Sequence, residues 1–311
     1  MRKIQYPTNA TAFKQLTDDY ISRFGTAVES FTKAGKMSKR CKEYRWKKFK
    51  KAKGIELDYP KSVKEILIAP YTELAKFYET FISQSYTKKE MGELESIFNY
   101  DGYDGAIASF FIDHSDELQL HSCFYCETAY VNAYSVAGKS KKYFDVDHVL
   151  PKSKCPILAL SLFNFVPACQ VCNSRIKKAE PIGRNAKERK ELSPTSEDYK
   201  FEQNVTFRLR PLHKGVRNFM ANPSLFMIKV NAISPYDQEV SFFQLEERYE
   251  YHKMEALRLR DLKARYPRTH TRNIAKLLGR SISDVEEDIF HKKFLTKHDR
   301  CFRKFTLDIL K

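Results

Sequence analysis

Charged and apolar positions alternate at helical spacing, with few glycines, through most of residues 1–117. The pattern predicts helices over 10–31, 40–53, 61–82 and 88–98. It then changes. Residues 142–151 are rich in aromatic and β-branched side chains and stop at Pro151, which reads as a short strand entering a loop. Three more strands are predicted over 205–210, 226–230 and 239–243. A helix is predicted over 244–264, with Leu245, Tyr249, Met254, Leu257 and Leu262 as its apolar contacts. Residues 181–194 read as a linker or exposed arm. The fold class expected is α+β and mostly helical, in three regions: a helical, basic 1–117, a compact 118–180, and a 181–311 region of strands followed by helices.

The middle region carries the chemistry. Cys123-Phe-Tyr-Cys126 and Cys169-Gln-Val-Cys172 are two CxxC pairs, with residues 127–168 between them. Two residues between paired cysteines let one turn supply two of the four thiolates that zinc takes in a tetrahedron. A redox pair would need only one such motif. A disulfide framework belongs to small secreted domains, unlike a 311-residue chain that opens without an apolar signal core. Cys123, Cys126, Cys169 and Cys172 are therefore expected to hold a structural Zn²⁺, whereas Cys41, Cys155 and Cys301 read as small apolar residues. His121 is left out, because four sulfurs already complete the shell.

Between the pairs lies Asp145-Val-Asp147-His148-Val-Leu-Pro151. Strand alternation points Asp145 and Asp147 the same way. Asn164 interrupts an apolar run. Asn173 follows the last cysteine directly, where it is expected to cap a basic helix containing Arg175, Lys177 and Lys178. This combination resembles the HNH endonuclease family in its ββα-metal form with a four-cysteine zinc. The resemblance spans roughly 118–180, about a fifth of the chain, and the family's third letter is Asn here.

The resemblance implies roles that the chemistry supports. His148 would be the general base, with an ordinary pKa suited to neutral pH. Asp147 and Asn173 would hold one Mg²⁺ or Mn²⁺ through hard oxygens. Asn164 would orient the loop that carries His148. Asp145 would support the ligands or cap a turn. Arg175, Lys177 and Lys178 would hold phosphates near the helix start.

Charge narrows the substrate. The chain has a formal charge of +16 and pI about 9.4. Such a surplus suits nucleic acid or an anionic membrane, and no apolar window is long enough to span a bilayer. A cytoplasmic protein is expected. Residues 31–53 carry eleven Lys or Arg against Glu43, with Tyr44, Trp46 and Phe49 interleaved. As a helix, this segment buries its aromatic side and offers Arg40, Arg45, Lys47, Lys48 and Lys51 to phosphates. DNA is the expected substrate, RNA such as tRNA the alternative, and a non-catalytic zinc-stabilised binding module the rival from another class.

Two further patterns bear on partners. Residues 274–285 have the Ala–Gly–Val spacing of a helix-turn-helix, but the next helix carries Asp284, Glu286, Glu287 and Asp288, which phosphates repel. A packed helical pair is expected instead. The layout, with strands and a Leu245–Lys253 helix after the core, looks similar to PtuB-like nucleases of Septu-type and retron-linked antiphage systems, which implies a partner ATPase.

Overall fold

Side-chain caps and prolines set the helix boundaries of the N-terminal half. The computed structural model describes residues 1–53, 62–136, 139–213, 222–298 and 300–311. Helix α1 (Ala10–Ser22) starts where Asn9 accepts from the amides of Thr11 and Ala12. It ends well before residue 31, because Gly25 takes a positive φ of 51°. Helix α2 (Lys42–Lys53) turns Trp46 and Phe49 inward, stacked on each other, as the interleaved aromatics predict. The helix expected over 61–82 is two: α3 (Val63–Ile68) and α4 (Tyr71–Ile82). Pro70 separates them, having no amide for α3 and forcing Ala69 into extended backbone. Lys61 lies outside the described residues. Helix α5 (Lys88–Ile97) opens on a reciprocal Thr87–Glu90 capping box. Helix α6 (Asp104–Asp113), not anticipated, buries Ile107, Phe110 and Phe111.

Among the described residues, three two-stranded antiparallel sheets follow. β1 (Ala133–Val136) pairs with β2 (Lys139–Lys142), and β3 (Asp145–His148) with β4 (Phe165–Ala168). After β4 comes a π-helical turn, Val171–Lys177. Residues 181–194 are not an exposed arm. Asn185 caps helix α7 (Ala186–Glu191), and Arg189 lies buried over the Tyr78 ring of α4 at 5.0 Å. The chain reaches α7 through Gly183, at φ 86°; a Cβ there would meet Arg189 N at 2.9 Å.

Helix α8 (Phe201–Asn204) leads to the third sheet, β5 (Val205–Pro211) with β6 (Phe226–Ala232). The strand expected at 239–243 is helix instead. Tyr236, Glu239 and Phe243 fall on one buried helical face, and Glu239 is anchored by the Tyr199 hydroxyl at 2.8 Å, so α9 (Tyr236–Phe242) forms. The 244–264 segment is α10 (Leu245–Glu250) and α11 (Lys253–Arg265). Leu245, Tyr249 and Leu257 are buried and Leu262 is partly so, but Met254 is 50% exposed. α12 (Arg268–Leu278) and α13 (Ile282–Phe290) pack as the expected pair around Ala275 and Val285, joined by Gly279 at φ 62°. α14 (Lys292–Lys297) and α15 (Arg303–Ile309) complete the chain. The fold is mostly helical α+β. A hydrophobic core joins side chains from all three sequence regions, from Leu16 through Phe165 to Phe305. Among the described residues no helix is long and apolar enough to cross a membrane.

Candidate metal and hydrolytic site

The first knuckle is a tight turn: the amides of Cys126 and Glu127 both donate to Cys123 O, at 3.3 and 2.8 Å. The second lies where β4 runs into the π-helical turn. Together they bring the sulfurs of Cys123, Cys126, Cys169 and Cys172 within 4.8 Å of one another, all buried. No disulfide joins them. Cys126 and Cys169 Sγ are 3.9 Å apart. A tetrahedron with Zn–S arms of about 2.3 Å has edges of about 3.8 Å, so the donor set fits zinc. Amides point at the sulfurs, Cys169 N to Cys123 Sγ at 3.3 Å and Thr128 N to Cys126 Sγ at 3.5 Å. No motif spacing points to Arg248, whose Nη1 donates to Cys172 Sγ at 3.3 Å.

The clamp sets the π-helical turn beside β3. In register, Asp145 faces Ala168 and His148 faces Phe165. As alternation requires, both aspartates meet the turn. Asp145 Oδ2 accepts from Asn173 Nδ2 at 3.0 Å and Ser174 Oγ at 3.2 Å. Asp147 is buried, accepting from the Tyr125 hydroxyl at 2.7 Å and from Lys177 Nζ at 3.1 and 3.2 Å. Lys177 also donates to His148 O at 2.7 Å. Burial pushes the Asp147 carboxyl up and the Lys177 ammonium down, and their pairing opposes both shifts.

Three expectations are revised by this geometry. Asn173 does not cap a helix: the helical turn begins earlier, and the Lys178 amide reaches back five residues to Asn173 O at 2.7 Å. Asn173 hydrogen-bonds Asp145, not Asp147, whose oxygens accept from Tyr125 and Lys177. Lys177 does not face a phosphate, because the wider π turn swings its ammonium into the interior, where it is fully buried. Asp145, expected to support the ligands or cap a turn, is the half-buried carboxylate that accepts from Asn173, as a supporting partner would. Arg175 and Lys178 remain exposed.

His148 ends β3 and packs edge-on against Tyr100 and Phe165, with ring centroids 4.6 and 4.9 Å away. Its Nε2 lies 3.0 Å from Ala159 O. A carbonyl only accepts, so Nε2 carries the hydrogen and Nδ1 keeps its lone pair. His148 does not keep the ordinary pKa expected of it: burial lowers it to about 3, so the ring is neutral. Asn164 fixes the loop after it: Oδ1 accepts from Leu150 N at 2.8 Å, and Nδ2 donates to Leu150 O and Leu158 O, both at 3.0 Å. A cleft lined by Asn99, Tyr100, Asp101, Lys152 and Ser153 reaches Ala159. Tyr100 comes from the α5–α6 connection, outside the 118–180 segment that carries the motifs.

The basic face of α2 lies apart from these contacts. Arg40, Lys47, Lys48 and Lys51 are exposed. Lys47 pairs with Glu43 at 3.2 Å, and Arg45 is partly engaged by Ser96 O and Oγ at 3.1 and 2.9 Å.

No family model matches the chain, and no solved structure matches it. Among curated proteins, the chain is similar to the Septu protein PtuB of Bacillus thuringiensis, 33% identical over 70 residues, which cover 21% of this chain and 24% of that protein. The match thus spans about a quarter of that relative's length.

Proposed function

We propose that this chain is a metal-dependent endonuclease of the HNH, ββα-metal type that hydrolyses DNA phosphodiester bonds. The observation that carries the reading is His148, locked by Ala159 O as a neutral imidazole with a free Nδ1, on the strand that also presents Asp145 and Asp147. A base needs its lone pair available at working pH, which this neutral tautomer supplies; because burial holds the ring's pKa near 3, it must gain basicity and water access as substrate and cation bind. Water at Nδ1 gives up a proton there, and the resulting hydroxide attacks phosphorus. A new P–O bond forms as the P–O3′ bond breaks. The leaving oxygen takes a proton from solvent, and the other product carries a 5′-phosphate.

Asp145 and Asn173 offer oxygens to a divalent cation, and Asp147 would join them if Lys177 withdrew. Bound there, Mg²⁺ or Mn²⁺ would polarise the scissile phosphate and stabilise the leaving oxygen. The exposed Arg175 and Lys178, and Arg40 just before α2 with Lys47, Lys48 and Lys51 on its exposed side, would hold the DNA backbone without reading sequence. The likeness to PtuB supports a relation to Septu-type systems. We extend the reading to an antiphage effector that acts with a partner ATPase.

The test is nicking of supercoiled plasmid by the zinc-loaded chain with Mg²⁺ or Mn²⁺, with EDTA and His148→Ala controls. Nicking that requires both metal and His148 is expected. A folded protein that cuts only RNA would replace the DNA substrate, and one that cuts neither, with or without the ATPase, would sink the hydrolytic reading.

A further inference from the structure

Arg248 belongs to α10, outside the segment that supplies the sulfur ligands, yet its guanidinium reaches two of them. Nη1 donates to Cys172 Sγ at 3.3 Å and to Phe243 O at 3.3 Å. Nη2 donates to Thr128 Oγ1 at 3.4 Å, and that hydroxyl lies 3.1 Å from Cys126 Sγ. The next residue grips the same knuckle, with Tyr249 OH donating to Cys126 O at 2.7 Å. Four thiolates around Zn²⁺ leave two net negative charges on a buried centre. Amide hydrogen bonds spread that charge but do not cancel it, and uncompensated buried charge is costly. Among the described residues, Arg248 is the cationic side chain hydrogen-bonded to these sulfurs.

We infer that Arg248 is the charge-compensating partner of the tetrathiolate zinc centre, holding Cys172 directly and Cys126 through Thr128. It draws electron density from sulfur, slows zinc loss, and makes α10 part of the metal centre. Arginine suits the task because its planar fork serves a sulfur and a hydroxyl together, whereas a lysine ammonium is a single point charge.

Zinc transfer to excess chelator from the full-length, zinc-loaded protein, and the sulfur-to-cobalt charge-transfer band of its Co²⁺-substituted form, test this. Groups around metal ligands typically change metal affinity by about ten- to a hundredfold, so Arg248→Met is expected to release zinc about tenfold faster or more. Its cobalt band moves to lower energy, because sulfur lone pairs rise without the cation. Arg248→Lys falls between wild type and Arg248→Met on both readouts. Wild-type release and band position in a folded Arg248→Met protein would overturn the assignment. So would equally fast release from both variants with an unmoved band, which would make Arg248 only a tie for α10. If Arg248→Met does not fold, Thr128→Val decides: faster release supports the relay to Cys126, and an unchanged rate overturns it. None of these readouts involves cleavage, so they are independent of the proposed nuclease activity.

Discussion

Burial divides the site residues into those that hold the structure and those free to do chemistry. Lys177 and Asp147 neutralise each other in the interior. Replacing Lys177 with Met leaves the buried Asp147 carboxylate without its charged partner, and a drop of about 3–5 kcal/mol in chemical denaturation is expected. Asn173 is half-buried, and Asn173→Ala is expected to cost about 1 kcal/mol or less while abolishing metal-dependent cleavage. His148 makes stability depend on pH. Its folded pKa of about 3 lies below the ordinary value of 6.5, so between these limits the unfolded chain binds the extra proton. Its contribution is complete above pH 6.5 and is lost as pH falls toward 3, at roughly 1.4 kcal/mol per pH unit in mid-window. Urea midpoints measured from pH 7 to 4 should fall less steeply for His148→Gln than for wild type; equal slopes would mean His148 is not held neutral.

At the scale of elements, local signals were strong where neighbours in sequence do the work. The CxxC turns, the Thr87–Glu90 box, the inward aromatics of α2 and the β3 alternation were all legible, because each depends on spacing of a few residues. The π turn was not. A basic stretch after Asn173 reads equally as an α-helix, and only the extra residue in its turn sends Lys177 inward while Arg175 and Lys178 stay in solvent. The α2 face carries a separate prediction. Changing the exposed Arg40, Lys48 and Lys51 to Gln should leave the melting temperature nearly unchanged. It should weaken DNA binding and flatten the plot of log affinity against log salt by roughly 0.9 for each phosphate that is no longer neutralised. An unaltered salt slope would make that face merely solvated.

At the scale of the molecule, the four-cysteine cluster, which fits zinc, lies at a junction. Cys123 and Cys126 follow the N-terminal helices, Cys169 and Cys172 hold the π turn to β3, and α10 closes over both knuckles through Arg248 and Tyr249. Chelation of the metal is therefore expected to abolish cooperative unfolding of the chain, not merely local order, since structural zinc supplies roughly 10–16 kcal/mol of apparent binding energy in small zinc domains. Calorimetry before and after chelation checks this; an unchanged transition in zinc-free protein would refute it. The sequence alone determined that the four cysteine sulfurs come together, the strand bearing Asp145, Asp147 and His148, and that Asn164 anchors the loop after it, because covalent spacing restricts which of these groups can meet. Tertiary packing alone decided that Asp145 meets Asn173, that Lys177 occupies Asp147, that Tyr100 covers His148 and that Arg248 reaches the sulfurs. Those partners come from turns and helices whose approach depends on how the whole core fills, and no local pattern encodes it.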